Sequence, residues 1–215
     1  MTKKALVLVS GGLDSTVCLY WAKNNFDNVQ AITFNYFHRL NREKVASRKI
    51  ANLAKTKLIE VSIPFIKEFS NYYDLQTKSA SQSLQSYIPL RNLIFYSIAG
   101  YFAQINRIMN LVGGHNAIDE NIFKDATESY FRKLNKLIIQ GLLNPMDCKI
   151  ILPLKNKSKI DIIQLARELD VPIEFTWSCH QEGKFQCKRC YACKQRLDGF
   201  KILGLRDPAY SFNRS

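Results

Sequence analysis

The sequence predicts an α/β fold in which helices cover both faces of a mostly parallel sheet. The main observation is that short runs of apolar and β-branched residues alternate along the chain with longer segments of helical periodicity. The first run, Lys4 to Val9, is continuously apolar after its lysine, as is typical of a strand buried on both faces. At 215 residues and 47% hydrophobic content, the chain can also bury a core without disulfides.

Five segments have the length and composition of strands, namely 4–9, 29–36, 58–63, 108–113 and 148–152. Five others have helical periodicity: one that begins at residue 14, and those at 41–55, 91–107, 127–140 and 158–169. Ligands in such folds bind beyond the carboxyl ends of the strands. The loops after Val9, Tyr36 and Gly113, and the turn near Pro153, should therefore face one crevice. Residues 67–86 lack a clear period, and we interpret them as a long connection or a lid.

Lysine and arginine number 31 against 18 acidic residues, which gives a formal net charge of +13. The hydrophobic fraction excludes a disordered tail, and no apolar run approaches the ~20 residues that a membrane helix needs. The apolar part of the N-terminus is too short for a secretory signal, so we expect a cytoplasmic protein with no membrane partner. The positive charge is compatible with nucleic-acid binding, with a polyphosphate substrate, or with the lysine-rich composition that AT-rich genomes encode.

The string from Ser10 to Thr16 lies between the first strand and the first helix. Its two glycines allow the backbone to approach an anion, and the helix start directs free N–H groups and a positive dipole end toward it. The string is neither a Walker loop nor G-x-G-x-x-G. A plain glycine turn with Asp14 as the helix N-cap is the alternative interpretation. The candidate phosphate-binding residues are Ser10, Gly11, Gly12, Leu13, Asp14, Ser15 and Thr16.

Four of the six cysteines are spaced C-x7-C-x2-C-x2-C, and these are Cys179, Cys187, Cys190 and Cys193. Disulfides are rare in the cytosol, whereas four thiolates at this spacing suit a tetrahedral zinc ion. An iron–sulfur cluster uses the same ligands, and free reactive thiols are the third possibility. Four protein ligands leave no open position on zinc, so the predicted role of the site is structural.

The glycine string resembles the S-G-G-x-D-S signature of the pyrophosphate-loop ATPases, which cleave ATP to AMP and hold the released pyrophosphate in this loop. With other strings in the same order along the chain, it resembles the 7-cyano-7-deazaguanine synthase family. The matching strings are Pro89-Leu90-Arg91-Asn92, Gly114-His115-Asn116-Ala117-Ile118-Asp119, Pro153-Leu154 with Lys159, and Ser178 to Cys193 followed by Arg196-Leu197-Asp198-Gly199-Phe200. The resemblance covers essentially the whole chain. It implies a Rossmann-like sheet of the adenine nucleotide alpha hydrolase type, with an ATP-binding domain at 1–174 and a zinc-binding segment at 175–215 packed on it.

Three strings depart from the family pattern. The family's Y-G-Q-R-H is here Tyr36-Phe37-His38-Arg39-Leu40, and the glycine of its P-G-R-N is Leu90. Its S-G-Y-P-D-C-R, near the deazaguanine pocket, corresponds to 121–127, where only Asp125 is kept. The ATP scaffold is therefore preserved while the string near the second substrate is changed, either by drift or by a changed acceptor or product.

The resemblance implies an enzyme, an ATP-dependent ligase that forms AMP and pyrophosphate and converts 7-carboxy-7-deazaguanine and ammonia to 7-cyano-7-deazaguanine in the queuosine pathway. Adenylation would activate the acid, ammonia would displace AMP, and a second adenylation would dehydrate the amide to the nitrile. ATP, magnesium and zinc are the expected cofactors, and a homodimer is the expected assembly. The candidate catalytic residues are Asp14, Ser15, Arg91 and Lys159. The candidate substrate-binding residues are Arg39, Asn92, Asn116, Asp119 and Asp125.

Other roles stay open. His38 and His115 lie on predicted crevice loops, where each is either a general base or incidental. The changed string at 121–127 motivates a second hypothesis, in which the enzyme couples the deazaguanine acid to another amine, such as a protein N-terminus in an antiphage defence operon. Neither activity requires nucleic acid. A tRNA-modifying (thiolating) enzyme would fit the basic charge, but it usually needs cysteine pairs that the predicted zinc site occupies. A non-enzymatic zinc module is the least supported class, because the phosphate loop is intact.

Overall fold

The computed structural model describes residues 2–37, 39–66, 88–141 and 148–211, and its centre is a five-stranded parallel sheet. The strands are β1 (Lys4–Leu8), β2 (Asn28–Asn35), β3 (Lys57–Ser62), β4 (Asn110–Val112) and β5 (Lys149–Ile151). Their order is β3-β2-β1-β4-β5, and every pairing is parallel. The predicted α/β class is confirmed, and each strand lies within one residue of a predicted run or inside it.

The main helices connect these strands, as the periodicity predicts. They are α1 (Leu13–Asn25), α2 (Asn41–Leu53), α3 (Arg91–Ile105), α4 (Ala117–Ile122), α5 (Glu128–Gln140), α6 (Lys159–Glu168), α7 (Tyr191–Ile202) and α8 (Pro208–Ser211). Short 3-10 helices lie at Lys124–Ala126 and Ile173–Phe175. The sequence did not predict α4, α7 or α8, because α4 and α8 are too short to show a period and α7 is only partly apolar.

Hydrophobic cores lie on both faces of the sheet, and β1 divides its side chains between them. Ala5 and Val7 face the core that contains α1, α6 and α7, whereas Leu6 faces the core that contains α3 and α5. All three side chains are fully buried, as expected for a central strand covered on both faces.

The cysteine segment, residues 175–211, contributes to the first of these cores. Trp177, Cys179 and Phe200 pack in the same cluster as residues of α1 and α6. The division into 1–174 and 175–215 stays a prediction, and the two parts share one continuous core.

Two further sequence interpretations cannot be compared with the fold. His38 and most of the predicted connection at 67–86 lie outside the described residues. Within the described ranges, none of the helices combines the length and the apolar character that crossing a bilayer would need.

Leu90 holds a backbone conformation that normally selects glycine, and it does so where the resembling family has glycine. It is the N-cap of α3, with φ 55° and ψ 23°, and its side chain is exposed. The left-handed conformation costs a residue with a Cβ roughly 1–2 kcal/mol. We expect Leu90→Gly to stabilise the protein by about 0.5–1 kcal/mol, after the added unfolded-state entropy of glycine is subtracted.

Thermal unfolding checks this prediction, because 1 kcal/mol corresponds to about 2–4 °C in Tm for a chain of this size. Leu137→Gly is the matched control, since Leu137 is equally exposed but lies inside helix α5. There glycine should lower Tm, by about 1 kcal/mol in stability. A Tm for Leu90→Gly that falls as it does for the control would contradict the prediction.

Candidate active site

A cavity of about 360 Å³ opens at the carboxyl ends of the strands, where the topology predicts a crevice. The loops that follow β1, β2 and β4 supply much of its wall, together with the start of α3 and part of the cysteine segment. Its size is within the range of small-molecule and cofactor sites. Strands β2 and β4 flank β1 on opposite sides, so the chain diverges at this point and leaves the crevice open.

The glycine string forms a tight turn directly before α1. Gly12 is the N-cap of α1, so Asp14 is not. As a glycine, Gly12 has no side chain that could accept a hydrogen bond from the first turn of the helix. The Ser10 and Ser15 hydroxyls lie 3.0 Å apart, and both the Ser15 and Thr16 hydroxyls donate to the Gly12 carbonyl. The turn therefore presents the uncapped N-terminus of α1 to the cavity, which is the arrangement that binds anions.

Gly11 is required by two features of this turn. Its φ is +97°, in the region that favours glycine. A Cβ at this position would also lie only 2.6 Å from the carbonyl oxygen of Glu43 and 2.8 Å from the amide nitrogen of Ser47. The turn therefore packs directly against the backbone of α2.

Three predicted site residues from distant parts of the chain meet beside the turn. Lys159, the first residue of α6, has its Nζ 2.6 and 2.9 Å from the two carboxylate oxygens of Asp14. The Asn116 side-chain amide donates to the same carboxylate at 2.6 Å. Asn116 also caps α4, in a capping box with Asp119. The cluster places a carboxylate and an ammonium group at the opening of the turn at 10–16, the candidate phosphate loop.

Arg39 lies behind the turn and is almost completely buried. Its terminal nitrogens donate to the Ser10 carbonyl, the Phe34 carbonyl, the Asn35 side chain and the Ser47 hydroxyl, at 2.9–3.1 Å. These acceptors occupy its terminal donors. We therefore infer that Arg39 positions the candidate phosphate loop. Arg39 also lines the cavity, and the substrate contact that the sequence predicts stays a prediction.

The segment at 121–127 contributes apolar side chains to the cavity. Ile122 and Phe123 line it, and the Arg91 guanidinium lies 5.8 Å from the centroid of the Phe123 ring. Asn92 and Asp125 hold this segment against α3, because the Asn92 side chain donates to the Asp125 carbonyl and the Asn92 backbone amide donates to the Asp125 carboxylate. Arg91 and Asn92 line the cavity, whereas Asp125 is not among the described lining residues.

His115 lies between the aromatic rings of Tyr96 and Phe131 at the cavity wall. Burial, helped by the positive charge of Arg91 and opposed by Asp14, lowers the pKa of His115 to about 3. The imidazole is therefore neutral at pH 7 and a weak base, which disfavours the general-base role considered from the sequence.

Several lining residues were not predicted from the sequence. They are Thr33, Phe34, Tyr36, Glu43, Phe95, Tyr96, Ser178, His180, Tyr191 and Gln195. Two of them carry buried hydroxyls, Thr33 Oγ1 and Tyr96 Oη, that have no hydrogen-bond partner among the described residues. The sequence does contain an indication of Glu43. It follows Arg39 by four residues at the start of a predicted helix, a spacing that favours pairing of opposite charges.

The four clustered cysteines converge on one point. Their Sγ atoms all lie within 4.8 Å of one another, and those of Cys187 and Cys193 are 3.9 Å apart. Tetrahedral zinc with Zn–S bonds of ~2.3 Å separates its sulfurs by roughly 3.8 Å. Backbone amides donate to two of these sulfurs, Gln181 and Cys187 to Cys179 and Cys190 to Cys187. Amide donors of this kind favour thiolates, so the group fits a single metal ion.

The cysteine segment is joined directly to the cavity. The Trp177 amide donates to the Gly11 carbonyl at 2.9 Å, which fixes the back of the phosphate loop. On the other side, the Asn41 amide donates to the Glu182 carboxylate and Arg42 Nε donates to the Gly183 carbonyl. The position of the phosphate loop and of α2 therefore depends on how this segment is folded.

Comparisons with known proteins agree with this architecture. The family model for queuosine biosynthesis protein QueC matches residues 4–204. A 7-cyano-7-deazaguanine synthase from Aliarcobacter butzleri is 36% identical over 96% of this chain and 95% of its own length. One from Thermoplasma volcanium is 34% identical over 97% of this chain and 90% of its own.

Solved structures show the fold alone. The NH3-dependent NAD synthetase from Campylobacter jejuni aligns with a TM-score of 0.51 at 13% identity, over 81% of this chain and 67% of that one. The U34-tRNA thiolase NcsA from Methanococcus maripaludis, solved with its [4Fe-4S] cluster, aligns with a TM-score of 0.50 at 17% identity, over 98% of this chain and 68% of that one.

Proposed function

This chain belongs to the QueC family of queuosine biosynthesis proteins, and we propose that it converts 7-carboxy-7-deazaguanine, ammonia and ATP to 7-cyano-7-deazaguanine. The observation that carries the proposal is the phosphate loop with Asp14 and Lys159 at its opening, in a cavity at the carboxyl ends of the strands. A carboxylate is a poor electrophile, so the acid must be activated before an amine can attack it. A loop that retains pyrophosphate suits activation by adenylation.

In the proposed reaction, the substrate carboxylate attacks the α-phosphorus of ATP and gives an acyl adenylate and pyrophosphate. Ammonia then attacks the acyl carbon and displaces AMP, and a second adenylation removes the amide oxygen to leave the nitrile. We assign the triphosphate to the N-terminus of α1 and the hydroxyls of Ser10, Ser15 and Thr16. Lys159 would offset the charge that develops on pyrophosphate.

Other residues are assigned by the charges and donors that they offer. Asp14 is our candidate for the magnesium ion that accompanies ATP, because its carboxylate lies at the loop opening. Arg91 stacks on Phe123 at the cavity wall and suits an anionic group of the second substrate. The buried hydroxyls of Thr33 and Tyr96 suit the polar edge of a base, since buried polar atoms normally have partners.

We propose zinc for the four cysteines. Their sulfurs are close enough for one ion, whereas a [4Fe–4S] cluster places each cysteine on a different iron and needs a wider separation. Bound there, zinc would cross-link the segment that supports Gly11 and α2. Zinc-thiolate ligation requires reduced cysteines, which fits the predicted cytoplasmic location.

A second activity deserves a direct comparison, because the changed segment at 121–127 places Ile122 and Phe123 in the cavity wall. In it, the enzyme stops after one adenylation and couples the acid to another amine, such as a protein N-terminus in an antiphage defence operon. The first half-reaction is identical, so the same loop serves both activities. No contact within the described ranges favours tRNA thiolation over these two.

The test is to incubate the protein with 7-carboxy-7-deazaguanine, ATP and ammonium and to identify the products by mass spectrometry. We expect the nitrile, with two AMP released for each nitrile formed. An amide that accumulates without nitrile would favour the second activity. Absence of pyrophosphate exchange that depends on the deazaguanine acid would contradict both.

A further inference from the structure

Among the described residues that line the cavity, Glu43 is the carboxylate with the fewest hydrogen bonds to the protein. Of the acidic residues that line the cavity in the described part of the chain, Asp14 accepts hydrogen bonds from Lys159 and Asn116. Asp119 accepts the Asn116 backbone amide in the capping box of α4. Glu43 has instead an ion pair with Arg39 at 3.8 Å, which is too long for a hydrogen bond.

The position of Glu43 brings it to the phosphate loop. It lies in the first turn of α2, and its carbonyl oxygen is 2.6 Å from the position that a Cβ on Gly11 would take. Its side chain lines the cavity and is 22% exposed, so it is shielded from bulk water but open to a bound molecule. A small cation in the cavity would find in Glu43 an acceptor with free lone pairs.

Titratable and charged side chains approach Glu43 from three directions. Tyr36 and Arg39 lie on the loop before α2, Arg91 lies at the start of α3, and Glu182 belongs to the cysteine segment. Burial raises the pKa of Glu43 to about 7, with Arg39 and Arg91 opposing the shift and Glu182 adding to it. A carboxyl group that titrates near neutral pH is suited to exchange a proton with a bound substrate.

The proposed reaction contains a step that needs such a group. Ammonium is the main form of ammonia at neutral pH, and it has no lone pair with which to attack an acyl adenylate. The positive groups of the cavity, namely Arg91, Lys159 and the N-terminus of α1, suit phosphates and carboxylates but repel ammonium. The cavity's other carboxylates, Asp14 and Asp119, already accept hydrogen bonds from the protein.

We propose that Glu43 binds the ammonium ion and removes its proton, so that neutral ammonia attacks the acyl adenylate. The N–H electron pair becomes the nitrogen lone pair, and the proton passes to the Glu43 carboxylate. The lone pair then forms the C–N bond to the acyl carbon, and the bond from that carbon to the AMP oxygen breaks. The attacking nitrogen then passes its second proton to the phosphate of the departing AMP, which leaves the neutral amide. This inference rests on the proposed function, since it names the amine site of that reaction.

Glu43→Gln tests the proposal, with Glu128→Gln as the matched control. Glu128 pairs with Lys155 on the surface and does not line the cavity. At neutral pH we expect Glu43→Gln to lower ammonium-dependent product formation about 100-fold, the scale of a lost general base. Pyrophosphate exchange with the acid, which uses no amine, should change less than about threefold if only the base is missing. The wild-type rate should rise with pH and level off above about 7, as Glu43 becomes fully deprotonated, whereas the variant rate should follow only the free-ammonia concentration, which continues to increase at higher pH.

Hydroxylamine distinguishes a general base from a residue that only supports the structure. It is largely uncharged at neutral pH, so it needs no base before it attacks. We expect Glu43→Gln and the wild type to form the hydroxamate at similar rates. A variant that loses exchange and hydroxamate formation together, or that uses ammonium as well as the wild type, would overturn the proposal. Wild-type protein without acid-dependent exchange would instead refute the proposed function, and the assignment of Glu43 with it.

Discussion

Replacing Lys159 with methionine is expected to lower pyrophosphate exchange that depends on the deazaguanine acid by about a thousandfold. The Lys159 ammonium group lies at the opening of the phosphate loop, 2.6 Å from Asp14, and the Lys159 side chain is only 16% exposed. Loss of one preorganised charge or donor in an active site costs about 10²–10³ in rate. Methionine keeps the unbranched apolar stem, which lies against Gly199, and removes the ammonium group.

The control for this experiment is Lys155→Met. Lys155 lies four residues earlier and also pairs with a carboxylate, Glu128, but on the surface and outside the cavity. It should leave exchange unchanged. Because Lys159 also neutralises Asp14, part of the loss in Lys159→Met could come from instability. The double variant Asp14→Asn with Lys159→Met removes both charges, so it should recover thermal stability while staying inactive.

If Lys159→Met retained more than about a tenth of wild-type exchange, Lys159 would be a structural partner of Asp14 and not a phosphate contact. Lys159→Arg is informative in that case, since arginine keeps the charge but changes the geometry. We expect it to retain partial activity if the ammonium contacts phosphate.

The features that could be located from the sequence are those with local causes. A strand, two glycines and a helix start follow one another within residues 4–16, so the phosphate loop could be located without knowing what surrounds it. The cysteine cluster could be located for the same reason, because its four cysteines lie in one short segment. Asp14 and Lys159 lie far apart in sequence, but each follows a recognisable string, and the parallel topology brings both to one edge of the sheet.

The features that could not be predicted depend on contacts between distant segments. The packing of Arg39 is one example, because its terminal donors bind the Ser10 carbonyl and three other acceptors. The hydrogen bond from the Trp177 amide to the Gly11 carbonyl joins backbone atoms, and backbone atoms leave no signature in sequence. Burial explains the remaining difference, because it makes His115 a weak base and Glu43 a better one than their residue types suggest.

Replacing Cys193 with alanine is expected to remove the bound metal and to destabilise the protein by about 4 kcal/mol or more, the scale of a lost metal site. Cys193 is fully buried in the first turn of α7, and its sulfur is 3.9 Å from that of Cys187. Wild-type protein should contain one zinc ion per chain by elemental analysis and remain colourless. Visible charge-transfer absorption together with iron would contradict the assignment to zinc.

Cys148→Ala is the matched control, since Cys148 is also a buried free cysteine but packs in the other core, near α5. It should keep its zinc and lose about 1 kcal/mol, whereas Cys193→Ala should unfold about 10 °C below the wild type. After treatment with the chelator EDTA, the wild type and Cys148→Ala should unfold at temperatures as low as that of Cys193→Ala.

Loss of the metal should also lower activity. The cysteine segment holds the phosphate loop through the Trp177 amide, and it holds α2 through Gly183 and Glu182. We therefore expect Cys193→Ala to lose at least tenfold in pyrophosphate exchange at a temperature where it is still folded. The glycine turn has no side chains of its own at Gly11 and Gly12, so its geometry depends on these backbone contacts. A metal-free variant that melts early but exchanges pyrophosphate at the wild-type rate would separate the two sites. It would show that the segment stabilises the fold without shaping the loop.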